Sequence, residues 1–323
     1  MSAFAVLCAD DGSLIFYNRD TVPTAGETFE GKVASNVYTG FENKEYSNYN
    51  YIPWYNERAS IISVSFTPEF ATVKPISTKY WFQGAVNMTS FNDVNFNTSN
   101  VTSMSNMFNG CSALTSLDLS NFDTSKVTHM NYMFYGCYSL INIDVSNFDT
   151  SNVTDMLYMF GLLEALTILD ISSFDTSKVQ SMSNMFRRAF KLNKIYVSDM
   201  WSTTSVTSHS NMFTECDALV GDIAYNNAVV DKTYAKYNGG YLTYKFFPTH
   251  IRNRFVIDAA DLNKIANAIR KKTGKLDGLV FPDGFIAAIE SLSVAATDDG
   301  SGNVVVNMDG SSADDGAGNV VIS

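Results

Sequence analysis

The residue types that most often carry out chemistry are few in this chain, and their spacing does not form a catalytic motif. The three histidines are His129, His209 and His250, and no H-E-x-x-H, G-x-S-x-G or P-loop pattern occurs. A metal site or a nucleophile with its base needs such residues at defined offsets, because the reacting groups must converge. We therefore expect a protein that is not an enzyme, with no catalytic residue, no metal and no cofactor.

The cysteines follow a repeat and not the pattern of a reactive thiol or a disulfide framework. Cys111 and Cys137 are 26 residues apart, and Cys216 has the equivalent position in a later unit, while Leu163 and Ala189 fill that position in between. A position that accepts Cys, Leu and Ala is typical of a small buried apolar site. The sequence thus predicts that these thiols are core residues.

Phenylalanines reveal the repeat that holds these positions. Phe82 and the four phenylalanines that follow at intervals of 26 residues are succeeded by Phe213 after 27. One unit of this size cannot bury its own hydrophobic face, so a tandem period predicts a solenoid in which each unit covers the next.

Each unit of the array combines two periodicities. Leu114, Leu117 and Leu119 give an L-x-x-L-x-L pattern that predicts a short strand. The stripe that follows predicts a short helix, with Val127, Met130, Met133 and Phe134 at i, i+3, i+6 and i+7 and with Asp123, Thr124 and Ser125 as capping candidates. The predicted fold class is therefore α/β: a leucine-rich-repeat solenoid of about five strand-turn-helix units.

Four segments are predicted along the chain. Residues 1–87 form a β-rich N-terminal cap, in which Asp10-Asp11-Gly12 marks a hairpin and SIISVSF a further strand. Residues 88–250 form the array, closed by a hairpin around Asn238-Gly239-Gly240. Residues 251–293 form a two-helix module and residues 294–323 a Gly/Asp-rich β tail.

The two-helix module is too small to bury a core of its own, so we expect it to dock on the array or on another chain. Its apolar helix faces supply the candidate assembly residues Leu262, Ile265, Ile269, Phe285 and Ile289. The two DDG turns of the tail match neither an EF-hand loop nor a calcium-binding nonapeptide, so plain turns are expected there.

The residues between the core positions of each strand form the first candidate binding surface, on the concave face. Five strands at about 4.8 Å spacing give a ladder roughly 20 Å wide, enough for a short glycan or a protein loop. Its candidate ligand-binding residues are Ser116, Asp118, Asn142, Asp144, Asp170, Lys194 and Tyr196. The alternative is that Asp and Ser are solvated consensus residues; variation at Lys194 and Tyr196 favours that end for binding.

A second candidate is an aromatic loop in the cap. Its five aromatic residues are interspersed with Asn and Ser, a mixture that recognition loops use because rigid rings give contact area at low entropic cost. They are Tyr46, Tyr49, Tyr51, Trp54 and Tyr55. The alternative is that they plug the end of the solenoid or form a subunit contact.

Charge and hydropathy exclude two classes of partner. The formal net charge of -11 argues against nucleic acid, which is bound through clustered Lys and Arg. No stretch reaches the roughly 18 to 20 apolar residues of a membrane helix, so we expect no membrane insertion. The first residues, MSAFAVLCADDGSLIF, lack the basic and apolar regions of a signal peptide, so synthesis in a host cytoplasm without such a peptide is expected.

The SNFDTSKVT and NMF motifs and the ending YLTYK resemble BspA-like leucine-rich repeats of bacterial surface proteins, over roughly residues 60–247. This resemblance implies adhesion without chemistry. The fifth unit departs from the pattern, with Met200 and Trp201 in place of Phe-Asp and His209 in place of the first Met.

The segments DLNKIANAIRKKTGK and FPDGFIAAIESL resemble a short module of tail, baseplate and fibre proteins of phages that infect Gram-positive bacteria. Together the two resemblances imply a virion protein that attaches to a bacterial surface glycan or protein. They also imply contacts with other virion structural proteins and a homo-oligomer, a trimer being one arrangement. The alternatives are a virion decoration protein with no receptor role and an exported bacterial adhesin.

Overall fold

The computed structural model describes residues 1–245 and four two-residue strands beyond them. The chain divides into two compact units, Met1–Lys245 and Phe246–Ser323. In the second unit, Val256–Ile257 pairs antiparallel with Val320–Val321, and Thr297–Asp298 with Val304–Val305. The predicted two-helix module, with Leu262, Ile265, Ile269, Phe285 and Ile289, lies outside the described residues.

A six-stranded sheet forms the N-terminal part, where the sequence predicts a β-rich cap. The Asp10-Asp11-Gly12 hairpin joins the first two strands, and Gly12 has a φ of 67°, in the left-handed region that glycine tolerates best. The sheet order is β3-β4-β1-β2-β5-β6, antiparallel as far as β2 and parallel from there. Its strands are β1 Ser2–Cys8, β2 Ser13–Arg19, β3 Thr28–Phe29, β4 Lys32–Thr39, β5 Ser63–Phe66 and β6 Ser90–Phe91.

The array continues from β6 as short parallel strands, one for each coil of the chain. Strand β7 pairs in register with β8, and β9 with β10, so that Ser116 lies beside Asn142 and Ile168 beside Lys194. The strands are β7 Ser116–Asp118, β8 Asn142–Asp144, β9 Ile168–Asp170 and β10 Lys194–Val197. Residues one period apart therefore pair in parallel, as in a solenoid of stacked coils.

The predicted helix of each unit does not form, and successive turns take its place. Alternate N–H groups bond to the next coil, as Asn106 N does to Asn131 O at 2.9 Å, while those between them bond three residues back, as Met107 N does to Met104 O at 3.2 Å. Left-handed residues recur twice per coil, four residues apart, and exclude a continuous α-helix. The first position of each pair holds Tyr80, Asn106, Tyr132, Tyr158, Asn184 and Asn211.

Within residues 1–245 the only helical elements are short 3₁₀ helices at Tyr49–Tyr51, Arg58–Ser60, Pro68–Thr72 and Lys232–Tyr234. The apolar stripe misled the sequence prediction because three-residue turns and a helix both return a side chain to the same side after three or four residues.

The Asp-Thr-Ser motif joins coils and does not cap helices, which corrects the predicted role of Asp123, Thr124 and Ser125. Asp123 Oδ1 accepts from the Ser125 N–H at 3.0 Å, which closes a local turn. The buried Thr124 hydroxyl donates to Asp149 O at 3.0 Å and accepts from Asp149 N at 2.8 Å. The same hydroxyl position recurs at Thr98, Thr150 and Thr176. Each threonine therefore fastens its coil to the next.

One continuous hydrophobic core runs from the cap through the whole array. The repeat phenylalanines stack along it with ring centroids 5.4 to 6.0 Å apart, from Phe82 to Phe213. Cys111, Cys137 and Cys216 are fully buried beside them, which confirms that these thiols are core residues. A second, small cluster around Phe4 and Tyr17 covers the other face of the cap sheet.

The C-terminal end of the array is closed by a single strand, in place of the predicted hairpin around Asn238-Gly239-Gly240. Strand β11, Thr243–Tyr244, pairs in parallel with β10, and the arm before it forms the 3₁₀ turn Lys232–Tyr234. Tyr241 is fully buried against Phe213, at 5.4 Å between ring centroids. Strand β11 pairs with the backbone groups of β10 at the last edge of the array. A hairpin whose two arms paired with each other would leave some of these β10 groups without a partner.

Candidate binding surfaces

The strand face is the surface formed by outward residues of β7 to β10, and it contains every predicted concave-face residue. Ser116, Asp118, Asn142 and Asp144 are exposed, whereas Leu117 between them is buried. This alternation follows from the two-residue period of a strand. At the other end of the face Lys194 and Tyr196 are half-buried.

The aspartates of the strand face also have a local structural role. Asp118 Oδ1 accepts from Ser120 N at 2.9 Å, and Asp144 Oδ1 accepts from Ser146 N at 2.9 Å. The Ser120 hydrogen bonds lower the pKa of Asp118, so this carboxylate is ionised at neutral pH. The second oxygen of Asp118 and of Asp144 has no hydrogen-bond partner among the described residues, which leaves it available to a ligand.

Asp170 differs from the other aspartates because Lys245, which directly follows strand β11, contacts it. Lys245 forms an ion pair with Asp170, and its ammonium also lies 5.8 Å from the centre of the Tyr196 ring. Burial raises the pKa of Asp170, but the hydrogen bonds from Lys245 and Ser172 outweigh it, and the net shift is downward. On β7 and β8 the strand face thus carries carboxylates that have no cationic partner among the described residues. On β9 and β10 the carboxylate of Asp170 is paired with Lys245, and the neighbouring side chains are larger.

The structure divides the aromatic loop between core and surface. Tyr46 is 6% exposed and Trp54 fully buried, and the Trp54 indole donates to the carbonyl of Trp81, so these two plug the end of the solenoid. Tyr49 and Tyr51 are exposed, by 41% and 65%. Tyr55 lies between these extremes, with the Arg58 guanidinium 3.9 Å from its ring centre.

The sequence prediction missed a third surface, on the turns that replace the helices. Tyr132 and Tyr158 stack in parallel with centroids 4.8 Å apart, and Tyr135 meets both edge-on at 5.4 and 5.3 Å. The Arg187 Nη1 group donates to the Tyr158 hydroxyl at 3.4 Å. Burial raises the pKa of Tyr132 and of Tyr135, so these phenols stay neutral at physiological pH. We call Tyr132, Tyr135, Tyr158 and Arg187 the tyrosine cluster.

A sequence signal for this cluster existed in the repeat itself. The left-handed position that holds Tyr132 and Tyr158 holds Asn106, Asn184 and Asn211 in three other coils and Tyr80 in the first. The position thus accepts either asparagine or tyrosine, and the two tyrosines of the array stand in adjacent coils. The meaning of this adjacency depends on Tyr135 and Arg187 lying beside them, which the linear sequence does not show.

Neither a metal site nor a membrane-spanning helix is found in the described residues. There His, Cys, Asp and Glu side chains do not gather in groups of three or more suited to a metal ion. No helix of that part of the chain combines the length and the apolar character needed to cross a bilayer.

Stacked coils with one short parallel strand each, a continuous phenylalanine core and an open strand face define a leucine-rich-repeat protein. The family described as "Mycoplasma protein of unknown function, DUF285" matches residues 76–167 and 141–239, which together span just over half of the chain. The chain belongs to this family.

The chain is also similar to solved structures of leucine-rich repeat proteins. It is similar to a leucine-rich repeat protein from Eubacterium ventriosum at 12% identity and a TM-score of 0.24, over 77% of this chain and 95% of the other. It is likewise similar to one from Bacteroides ovatus at 12% identity and a TM-score of 0.27, over 76% and 74%. No curated protein matches the chain.

Proposed function

We propose that this protein is a non-enzymatic attachment protein that binds a glycan or protein of a bacterial surface through the strand face. The observation that carries the proposal is the in-register ladder of outward polar residues on β7 and β8, with Ser116 beside Asn142 and Asp118 beside Asp144. A rigid row of exposed polar groups on a solenoid suits recognition of an extended polymer, because the scaffold pays little ordering entropy on binding.

The chemistry expected at this surface is polar recognition. The free carboxylate oxygens of Asp118 and Asp144 accept hydrogen bonds from sugar hydroxyls or from cationic groups. Ser116 and Asn142 supply donors and acceptors one strand away. No bond is made or broken in this scheme, so the surface needs no nucleophile or cofactor.

As the carrier of this surface we propose a phage virion, in tail or fibre, with the chain assembled as an oligomer among other virion proteins. Support comes from the resemblance of residues 261–275 and 281–292 to a module of phage tail, baseplate and fibre proteins. A bacterial cell surface is the second candidate, and the family description, which names the bacterium Mycoplasma, supports a bacterial origin. Immunogold labelling of phage particles and of bacterial cells with an antibody to the full chain separates the two: label on particles supports the virion, and label on cells alone refutes it.

Binding of the labelled full-length chain to a panel of Gram-positive bacteria tests the attachment role. The test variant is Asp118→Asn with Asp144→Asn, because asparagine keeps the Oδ1 acceptor of each turn and removes the charge. The control is Asp123→Asn with Asp149→Asn, the same change at aspartates that close similar turns away from the strand face.

We expect saturable binding that weakens by at least about tenfold in the test variant and stays unchanged in the control. The variant changes two carboxylates, and loss of one charge-assisted hydrogen bond of about 1.4 kcal/mol already predicts that factor. Equal weakening in both variants would assign the effect to net charge and refute the strand face as the site. Absence of saturable binding at about micromolar concentration across the panel would favour a decoration role.

A further inference from the structure

The tyrosine cluster lies on the turns of the array, whereas the strand face of the proposed function lies on β7 to β10. We propose that Tyr132, Tyr135, Tyr158 and Arg187 form a second, independent binding site, for an anionic saccharide. Its ligand would be a sugar polymer whose units carry carboxylate or phosphate groups.

The first argument is the cost of placing these rings. Tyr132 has a φ of 58° and Tyr158 a φ of 55°, in the left-handed region that asparagine tolerates better than tyrosine. Asparagine fills that position at Asn106, Asn184 and Asn211 and tyrosine at Tyr80, so the fold accepts an aromatic residue there but does not require one. Backbone strain that the fold does not require is most common where a side chain serves binding.

The second argument is that the backbone beneath the rings leaves them room to gather. Gly161 carries no side chain, and a Cβ there would lie 3.1 Å from both Tyr135 Cδ2 and Tyr158 Cδ1. The equivalent position holds Asn109 and Tyr135 in the preceding coils. Because Gly161 is small, the rings of Tyr135 and Tyr158 pack over its backbone and meet edge-to-face.

The third argument is charge. Arg187 makes no ion pair with a carboxylate among the described residues, whereas the neighbouring Arg188 is paired with Glu215 at 3.3 Å. The Arg187 Nε atom is buried and has no hydrogen-bond partner in that part of the chain. In a chain of net charge -11, the stretch RRAFKLNK has four cations and no acidic residue. An uncompensated guanidinium beside neutral phenols favours an anionic group on the ligand.

A saccharide fits this surface better than an added peptide strand. The backbone N–H of Tyr132 bonds to Leu157 O at 2.8 Å, and that of Tyr158 to Ser183 O at 3.1 Å. These donors are used between coils, so the turns offer no free edge for a peptide backbone to pair with. Amphipathic rings and phenol hydroxyls suit a ligand that is apolar on its ring faces and polar at its rim.

Isothermal titration calorimetry on the full-length chain tests the proposal. The probes are oligogalacturonate, whose units carry carboxylates, and a phosphomannan, whose units carry phosphates, with uncharged dextran as the neutral probe. We expect a charged probe to bind and dextran to bind at least about tenfold more weakly, the difference that one charge-assisted hydrogen bond predicts. The two charged probes distinguish carboxylate from phosphate recognition.

Variants separate a binding role from a structural role. Tyr132→Asn restores the residue that other coils carry, so we expect it to fold with unchanged or raised thermal stability and to bind about tenfold more weakly. Arg187→Gln should weaken binding by a similar factor, while Arg19→Gln, the same charge change on strand β2 of the cap, should not.

Three outcomes would overturn the proposal. They are failure of both charged probes to bind, equal binding of dextran, and an equal loss in Arg19→Gln. Loss of thermal stability in Tyr132→Asn with unaltered binding would also overturn it, because the rings would then be structural. A protein ligand found on this surface in place of a saccharide would count against it as well. Cell binding through the strand face is measured separately by Asp118→Asn with Asp144→Asn, so the two proposals fail independently.

Discussion

Replacing Thr124 by valine tests whether the Asp-Thr-Ser motif fastens successive coils. The Thr124 hydroxyl is buried and makes two hydrogen bonds to the backbone of Asp149, at 3.0 Å to the carbonyl and 2.8 Å from the N–H. Valine keeps the shape and the branched Cβ but removes both bonds. At about 1 kcal/mol for each net hydrogen bond, the free energy of unfolding should fall by about 2 kcal/mol.

The matched control is Thr102→Val in the same array. The Thr102 hydroxyl also donates to a carbonyl one coil away, that of Ile76 at 3.2 Å, but Thr102 is exposed. Water can replace that bond, so the same substitution there should cost no more than about 0.5 kcal/mol. The comparison separates the effect of losing the two buried Thr124 hydrogen bonds from the general effect of exchanging threonine for valine.

Urea unfolding followed by tryptophan fluorescence measures both variants, because buried tryptophans lie in the cap and near the last coil, at Trp54, Trp81 and Trp201. The expected result is a clear shift of the midpoint for Thr124→Val with an unchanged slope, and almost none for Thr102→Val. Indistinguishable midpoints for the two variants would refute the role of the Thr124 hydroxyl in joining successive coils.

Three further predictions follow from the core, the turns and the thiols. Phe134 is fully buried between Phe108 and Phe160. Phe134→Ala should therefore lower the free energy of unfolding by about 4 kcal/mol, and Phe134→Leu by much less. A loss below about 1 kcal/mol for Phe134→Ala in calorimetry would contradict a continuous core. Gly110 has a φ of 76°, and the space around it would admit a Cβ atom. Gly110→Ala should therefore lower the free energy of unfolding by about 1 kcal/mol in chemical denaturation, and Gly110→Asn by less, because asparagine tolerates the left-handed region better than alanine. Equal losses in the two variants would exclude backbone strain as the cause. Burial raises the pKa of Cys137 and of Cys216 to about 12. These two thiols should therefore resist a disulfide reagent in the folded protein at about pH 8. Their contribution to the free energy of unfolding should be complete below about pH 9 and should be lost as the pH rises towards 12. Rapid labelling of the folded protein would disprove their burial.

The repeat and its core could be predicted from the sequence because they depend on spacing alone. Phenylalanines one period apart must occupy equivalent places in successive coils, and the structure stacks them accordingly. The cysteine position followed from the same argument, since Leu163 and Ala189 fill it elsewhere. The Asp10-Asp11-Gly12 hairpin was predictable because its turn chemistry is local.

The helices and the closing hairpin were wrong for one shared reason. Both predictions assumed that a segment satisfies its backbone hydrogen bonds locally, whereas here Asn106 bonds to Asn131 and β11 pairs with β10. Apolar residues at intervals of three and four are common to helices and to chains of turns. Only the partner coil distinguishes them, and it lies about one period away in the sequence.

The candidate surfaces divide in the same way. Strand periodicity alone placed Ser116, Asp118, Asn142 and Asp144 on the surface. Which aromatic rings of the cap loop are buried, that Lys245 compensates Asp170, and that Arg187 reaches Tyr158 were decided by packing between distant segments. The sequence by itself determined the period, the core and the outward ladder, because a repeat of fixed length constrains equivalent positions. The tertiary structure alone decided the hydrogen-bond partners and the neighbours across coils, because those contacts join residues that no local pattern relates.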